Sequence, residues 1–162
     1  MPAVTMQTVT IPATFVCTTV KKPCERGIEI VDRLRCESVV DAAVRMACYS
    51  ERLSGFVAIC MALRHESRFV LLSQEESRQR AERVRGKMLE CLDLYRNQKE
   101  CVPYRRAQGL IVAADPGCDN PAEAALLWVL KSVTVFEVVT QFEIIINGRR
   151  YFADIAIPGL MI

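Results

Sequence analysis

Asn147-Gly148 stands between two runs rich in β-branched and aromatic residues, Thr134–Ile146 and Arg149–Ile157, and no other dipeptide limits the fold so tightly. Both residues tolerate positive φ, which a two-residue hairpin turn of the right twist demands. Such a turn fixes the register. Ile146 opposes Arg149, and counting outward sets Gln141 opposite Asp154. Side chains alternate along a strand, so Gln141, Glu143 and Ile145 share a face with Arg150, Phe152 and Asp154. The other face carries Phe142, Ile144, Tyr151, Ala153 and Ile155. A slip of one residue would exchange the faces. An aspartate inside Tyr-Phe-Ala-Asp-Ile-Ala-Ile needs water, a partner or a metal.

The hairpin follows a helix whose start is written in its residues. Asn120 is a good N-cap, Pro121 suits the first helical position, and Glu123 stands three beyond the cap; the helix spans Pro121–Lys131. Before it, Asp115-Pro116-Gly117 breaks the chain, and we divide the sequence there into modules 1–115 and 116–162.

Upstream, residues 4–20 alternate loosely in Val, Thr, Ile and Phe, suggesting one or two strands broken at Pro12, and Lys21-Lys22-Pro23 reads as a turn. Ile28–Leu34 reads as a further short strand. From Glu37 the period becomes helical, with Val40, Ala43, Val44 and Ala47 on one face to Tyr49. A nearly all-apolar helix over Leu53–Arg64 should be buried. Ser73 with Glu76 forms a capping box opening a long helix to Tyr95, with Ala81, Val84, Met88, Leu92 and Tyr95 on one face. Tyr104–Ala114 supplies another helix. The class is α/β in an α+β arrangement: a helical N-terminal and middle region, then a helix and a β-hairpin.

A net charge of +2 does not by itself argue for nucleic acid. The longest apolar stretches, Phe56–Leu63 and Ala124–Leu130, fall short of the roughly 20 residues a membrane span requires. With no basic, apolar leader at the N-terminus, the cytoplasm is the expected compartment. The eight cysteines lack zinc spacing, and His65 is the only histidine, so buried, reduced thiols are expected. His65 itself reads as an ordinary helix-end residue. Arg78, Arg80, Arg83, Arg85 and Lys87 are interleaved with Glu75, Glu76, Glu82 and Glu90, which favours a solvated, salt-bridged face over a DNA-binding stripe. Arg105-Arg106 and Arg149-Arg150 are candidate phosphate contacts.

Asn120-Pro121-Ala122-Glu123, then Gln141, then Gly148-Arg149-Arg150-Tyr151-Phe152-Ala153-Asp154-Ile155-Ala156-Ile157-Pro158 resembles the PD-(D/E)XK restriction-endonuclease-like fold. Within it, the pattern is similar to the branch of very-short-patch-repair endonucleases and of actinobacterial proteins like abortive-infection antitoxins. Ser38–Ala43 and Gly55–Arg64 are similar to the helical segment preceding that domain. The likeness is loose over 36–115 and better over 119–162.

The resemblance implies Asp154 as the first metal carboxylate, Glu123 as the helix acid approaching the site, and Gln141 as its neighbour on the sheet. It also implies Mg²⁺, DNA as a partner, and a next strand bearing Glu-x-Lys or Glu-x-Asp-Gly. Gly159-Leu160-Met161-Ile162 stands where that strand would begin, so tight metal binding and cleavage are not expected of this chain. The residues leave two alternatives for Asp154, metal ligand or solvated strand residue, and two for Glu123, active-site acid or capping carboxylate. The expected function is that of a truncated or non-catalytic nuclease-fold protein of host-defence or mobile-element type, in nucleic-acid binding or antitoxin-like regulation. The alternative is a helical protein-interaction domain with no nucleic-acid role. An unfinished sheet edge implies a homo-oligomer, and no membrane partner is expected.

Overall fold

The computed structural model describes residues 28–31, 34–97 and 103–160. The strands expected over 4–20, the turn at Lys21-Lys22-Pro23, and Cys17, Cys24 and Cys101 lie outside these residues, as do Met161 and Ile162. The element order is β1 (Ile28–Val31), β2 (Leu34–Glu37), α1 (Val39–Tyr49), α2 (Arg52–Ser67), α3 (Gln74–Asn97), α4 (Tyr104–Ala113), α5 (Pro121–Val133), β3 (Val139–Ile146) and β4 (Arg149–Ala156). Short 3-10 turns at Leu71–Ser73 and Pro158–Leu160 precede α3 and follow β4. The architecture is α+β, with helices followed by a helix and a hairpin.

The expected strand over Ile28–Leu34 is instead a hairpin, with β1 pairing antiparallel to β2, so Glu37 ends a strand rather than starting a helix. Helix α1 begins beyond it, where Ser38 and Asp41 cap reciprocally. Ser38 Oγ accepts the Asp41 N–H at 3.1 Å and donates to Asp41 Oδ2 at 2.6 Å. The other carboxylate oxygen takes a 2.8 Å hydrogen bond from Cys91 Sγ on α3. Start-of-helix chemistry and core packing therefore meet at one buried carboxylate, which has partners on both oxygens.

Helix α2 runs through the middle of the molecule, longer at both ends than its apolar stretch implies. Phe56, Ile59, Cys60 and Leu63 are wholly inaccessible, and Phe56 meets Trp128 of α5 with ring centroids 5.1 Å apart. The predicted face of α3 is buried in full, from Ala81 through Val84, Met88 and Leu92 to Tyr95. The capping box at Ser73 and Glu76 is not the device at its start. Ser77 Oγ instead accepts the Val70 N–H at 3.0 Å and donates to the Ser73 carbonyl at 2.8 Å. A serine one helical turn inside can reach both groups, so the chain enters α3 through the 3-10 turn.

Asp115-Pro116-Gly117 ends α4 as expected, but the core continues across it. Cys118, Ala124 and Leu127 belong to the same buried cluster as the side chains of α1 to α4.

The basic run on α3 has a role that its spacing with glutamates did not suggest. Helix C-termini leave carbonyls without intrahelical partners. Arg80 of α3 donates to the Ser67 and Arg68 carbonyls at the end of α2, at 2.8 and 3.2 Å. Arg85 reaches the Ile111, Val112 and Ala114 carbonyls at the end of α4. Arg106 of α4 donates to Ala47, Cys48 and Ser50 carbonyls at the end of α1, at 3.0, 2.7 and 2.6 Å. Three helix ends are thus each clamped by an arginine from another helix. Arg83 and Lys87 are exposed as expected, and Arg85 keeps the expected ion pair with Glu82, but Arg80 and Arg85 are turned onto helix ends rather than into solvent. Among the described residues no helix is long and apolar enough to cross a membrane.

Candidate functional site

The hairpin turns at Asn147 (φ 51°) and Gly148 (φ 76°), the left-handed pair that a two-residue turn requires. The register is the expected one, with Ile146 opposite Arg149 and Thr140 opposite Ile155. The strand expected over Thr134–Ile146 begins only at Val139; Thr134 caps the end of α5 instead.

At Gln141 the strand departs from ideal geometry. Its φ is +53°, and the ladder skips the 141–154 pair while keeping register on both sides. Two adjacent side chains, Thr140 and Gln141, are buried in consequence, at 1% and 3% exposure, where a regular strand would bury only one. Gln141 still faces Asp154, its Nε2 lying 3.4 Å from Asp154 Oδ1. The same Nε2 donates to the Gly117 carbonyl at 3.1 Å, and the Gln141 carbonyl accepts from Gln74 Nε2 of α3 at 2.9 Å. The left-handed backbone is held by contacts on three sides, as strained backbone in a folded protein must be.

Beside it lies a network that the sequence reading did not find. Asp115 Oδ1 accepts from Thr140 Oγ1 at 2.5 Å, from the Gly117 N–H at 2.7 Å and from Arg78 Nη1 at 3.2 Å; Oδ2 accepts from Arg78 Nη1 at 3.1 Å. Arg78 Nη2 donates to the Thr140 carbonyl at 3.0 Å. From the opposite side Arg64, at the end of α2, pairs with Asp119 and donates to the Pro116 and Gly117 carbonyls. Gly117 must be glycine because a Cβ there would lie inside the Thr140 hydroxyl. The available signal was Asp followed two residues later by Gly, since an Asp carboxylate accepts the N–H two positions on.

Glu123 is occupied elsewhere. Its Oε2 accepts the Asp119 N–H at 2.6 Å and its Oε1 accepts from Asn120 Nδ2 at 2.6 Å, while Asn120 Oδ1 accepts the N–H groups of Ala122 and Glu123. This is the capping arrangement that Asn120, Pro121 and Glu123 announced. Asp154 is exposed. Among the described residues, no three His, Cys, Asp or Glu side chains gather as metal ligands. Mg²⁺ takes six oxygens in strict octahedral geometry, and one exposed carboxylate, with Glu123 engaged at its own helix start, fits it poorly.

Of the arginines considered as phosphate contacts, Arg106 clamps α1, and Arg150 forks onto Glu143 at 2.5 and 3.0 Å. Hydrogen bonding to Arg150 holds the Glu143 carboxyl below its ordinary range, and the same bond raises the guanidinium. Arg105 and Arg149 are exposed.

Between the start of α3 and β3 opens a groove of about 840 Å³. Its walls include Glu75, Glu76, Asp115, Glu137 and Glu143, against the two guanidiniums of Arg78 and Arg150. Both guanidiniums are ion-paired, Arg78 with Asp115 and Arg150 with Glu143. The groove is therefore acidic.

Cys60 and Cys118 meet in the core beneath the Asp115 turn. Hydrogen bonding to Cys60, reinforced by burial, pushes the Cys118 thiol far above its ordinary range. Among the described residues no cysteine is in a disulfide; Cys36 is half-buried, and Cys48, Cys60, Cys91 and Cys118 are buried. Compared with known protein families, with curated proteins and with solved structures, the chain matches none of them.

Proposed function

We propose that this protein is a non-catalytic interaction module that receives a basic, extended peptide segment in the groove between α3 and β3. The observation that carries this reading is the electrostatics of the groove: two of its five carboxylates are paired with its two guanidiniums, and Glu75, Glu76 and Glu137 remain as the acidic excess. Phosphate oxygens would enter such a field against repulsion, whereas lysine or arginine side chains would be drawn in. Arg106 supports the same reading, because its Nη2 is turned onto the carbonyls at the end of α1 and its Nε is buried, so the guanidinium does not present its fork to a phosphate outside. The reading assumes a reducing cytoplasm.

Fluorescence anisotropy tests it. A labelled lysine- and arginine-rich peptide should bind, weakening as salt rises, and a Glu75→Gln, Glu76→Gln, Glu137→Gln variant should lose most of the affinity. Labelled duplex DNA should not bind at the same salt. DNA binding without peptide binding would reverse the assignment.

A second reading, a truncated nuclease fold of host-defence type, is favoured by one observation: Gln141 and Asp154 face each other as the resemblance implies. On that reading this chain alone does not cleave DNA. Plasmid nicking with Mg²⁺ or Mn²⁺ that Asp154→Ala abolishes would establish a catalytic site, displacing the first reading and overturning the non-catalytic form of this one.

A further inference from the structure

Among the described residues β4 has a strand on one side only. The sheet consists of β3 and β4, and among the described residues no further strand pairs with either. A two-residue turn makes Ile146 and Arg149 a hydrogen-bonded pair, and such pairs recur at every second position, at Ile144–Tyr151 and Phe142–Ala153. The backbone groups of Arg150, Phe152 and Asp154 therefore point away from β3, toward the open edge. An isolated two-stranded hairpin is marginal in water, and an open edge is a template for another strand.

The side chains at these outward positions choose the partner. A copy of the same strand, related by a two-fold axis, can pair antiparallel with the axis on any one of the three. Centred on Arg150, two guanidiniums would face each other; centred on Asp154, two carboxylates would. Centred on Phe152, Arg150 of one copy opposes Asp154 of the other, and the symmetry makes that pair twice. Tyr151 then opposes Ala153, and Arg149 opposes Ile155, with no like charges in register. Arg150 and Asp154 are both exposed; Arg150 forks onto Glu143 of its own hairpin and lies over the Phe152 ring, 5.5 Å from its centroid, so in the seam its guanidinium would bridge Glu143 and the Asp154 carboxylate of the second copy. Cation, ring and carboxylate thus share one face of the strand. On β3, Glu143 and Gln141 are the corresponding outward positions; the Gln141 carbonyl is taken by Gln74, and that edge adjoins the acidic groove, so two copies would repel.

We infer that β4 pairs with β4 of a second copy, antiparallel and centred on Phe152, joining two hairpins into a four-stranded sheet with a reciprocal Arg150–Asp154 pair at each end of the seam. The contact is isologous and closes on itself, which limits it to a dimer. The seam runs along the outer edge of β4, although Arg150 also borders the groove, so peptide binding and dimerisation are measured separately on each variant and either reading can fail alone.

Charge reversal tests both the partner and the register. In Arg150→Glu, each seam pair becomes Glu against Asp; in Asp154→Arg, each becomes Arg against Arg. Either variant alone should dimerise about tenfold more weakly, as two cross-strand pairs turn from attraction to repulsion. Mixed together, they restore both seam pairs as Glu–Arg and Arg–Asp, so the mixture should dimerise more tightly than either variant alone, short of wild type only by the Glu143–Glu repulsion that Arg150→Glu introduces within its own hairpin. Analytical ultracentrifugation of each and of the equimolar mixture, over a dilution series, reads the result; far-ultraviolet circular dichroism confirms that each variant is folded. Recovery in the mixture establishes the register. A wild-type chain monomeric at every concentration, its edge then covered by its own chain or by water, overturns the inference. So does a dimer that neither variant weakens, or one that the mixture fails to restore.

Discussion

Replacing Arg106 by methionine separates a structural guanidinium from a phosphate-binding one. Methionine keeps most of the aliphatic stem and its packing, and removes only the charged fork. The Nη2 group serves three carbonyls, at 3.0 Å (Ala47), 2.7 Å (Cys48) and 2.6 Å (Ser50). One nitrogen carries two hydrogens, so the arrangement amounts to about two charge-assisted bonds, each contributing about 1.5 to 3 kcal/mol where solvent is excluded. The site is half-buried, and water would recover part of the loss, so a destabilisation of about 3 kcal/mol is expected. At an m-value of about 2 kcal/mol per molar, the urea midpoint should fall by about 1.5 M with the slope unchanged. Arg106→Lys keeps the charge but loses the planar fork, and should recover less than half of that difference. A midpoint shift below about 0.3 M for the methionine variant, the range of ordinary surface changes, would refute the clamp. Loss of an established nucleic-acid affinity without loss of stability would return Arg106 to phosphate binding.

Gly117→Ala should destabilise by about 3 kcal/mol or more, because its Cβ would overlap the Thr140 hydroxyl within a network braced from both sides; thermal melts check it, and a neutral result would show that the turn can shift. The Glu143–Arg150 pair predicts a pH dependence of the hairpin. Glu143 has a depressed folded-state pKa, so its stabilisation is present above the unfolded carboxylate value and is lost as pH falls through the folded one. Amide exchange or NMR shifts across Glu143–Phe152 should therefore report loosening only on the acid side, and Glu143→Gln should remove that dependence.

Local grammar was legible. Asn120, Pro121 and Glu123 specify a helix start by their own hydrogen-bonding groups, and the structure uses each as its position implied. The turn at Asn147-Gly148 set the hairpin register, because two left-handed residues in a row leave little choice. The buried face of α3 followed from helical period alone. What sequence could not display was the destination of long polar side chains. Arg80 and Arg85 sit among glutamates and looked solvated, yet each finds a helix end brought close only by packing. Asp115 was visible as part of a break, and its role as a junction depended on Thr140 and Arg78 arriving from distant segments. Gln141 was placed opposite Asp154 from the register, while its left-handed backbone was not foreseen, since its causes, Gly117 and Gln74, lie on other elements.

A segment joining two helices is normally where a protein can be opened: proteases cut there, and circular permutation succeeds there. Asp115–Asp119 inverts that expectation. Its backbone and side chains are tied to the end of α2 through Arg64, to α3 through Arg78 and to β3 through Thr140 and Gln141. New termini placed there would release all three attachments at once. The tip of the β3–β4 hairpin is the opposite case: the Asn147-Gly148 turn has exposed side chains and a Gly148 with open space around it. A protease should nick the folded chain at the hairpin before it reaches the turn between α4 and α5, and a permuted chain should tolerate ends at 147–148 and not at 116–117.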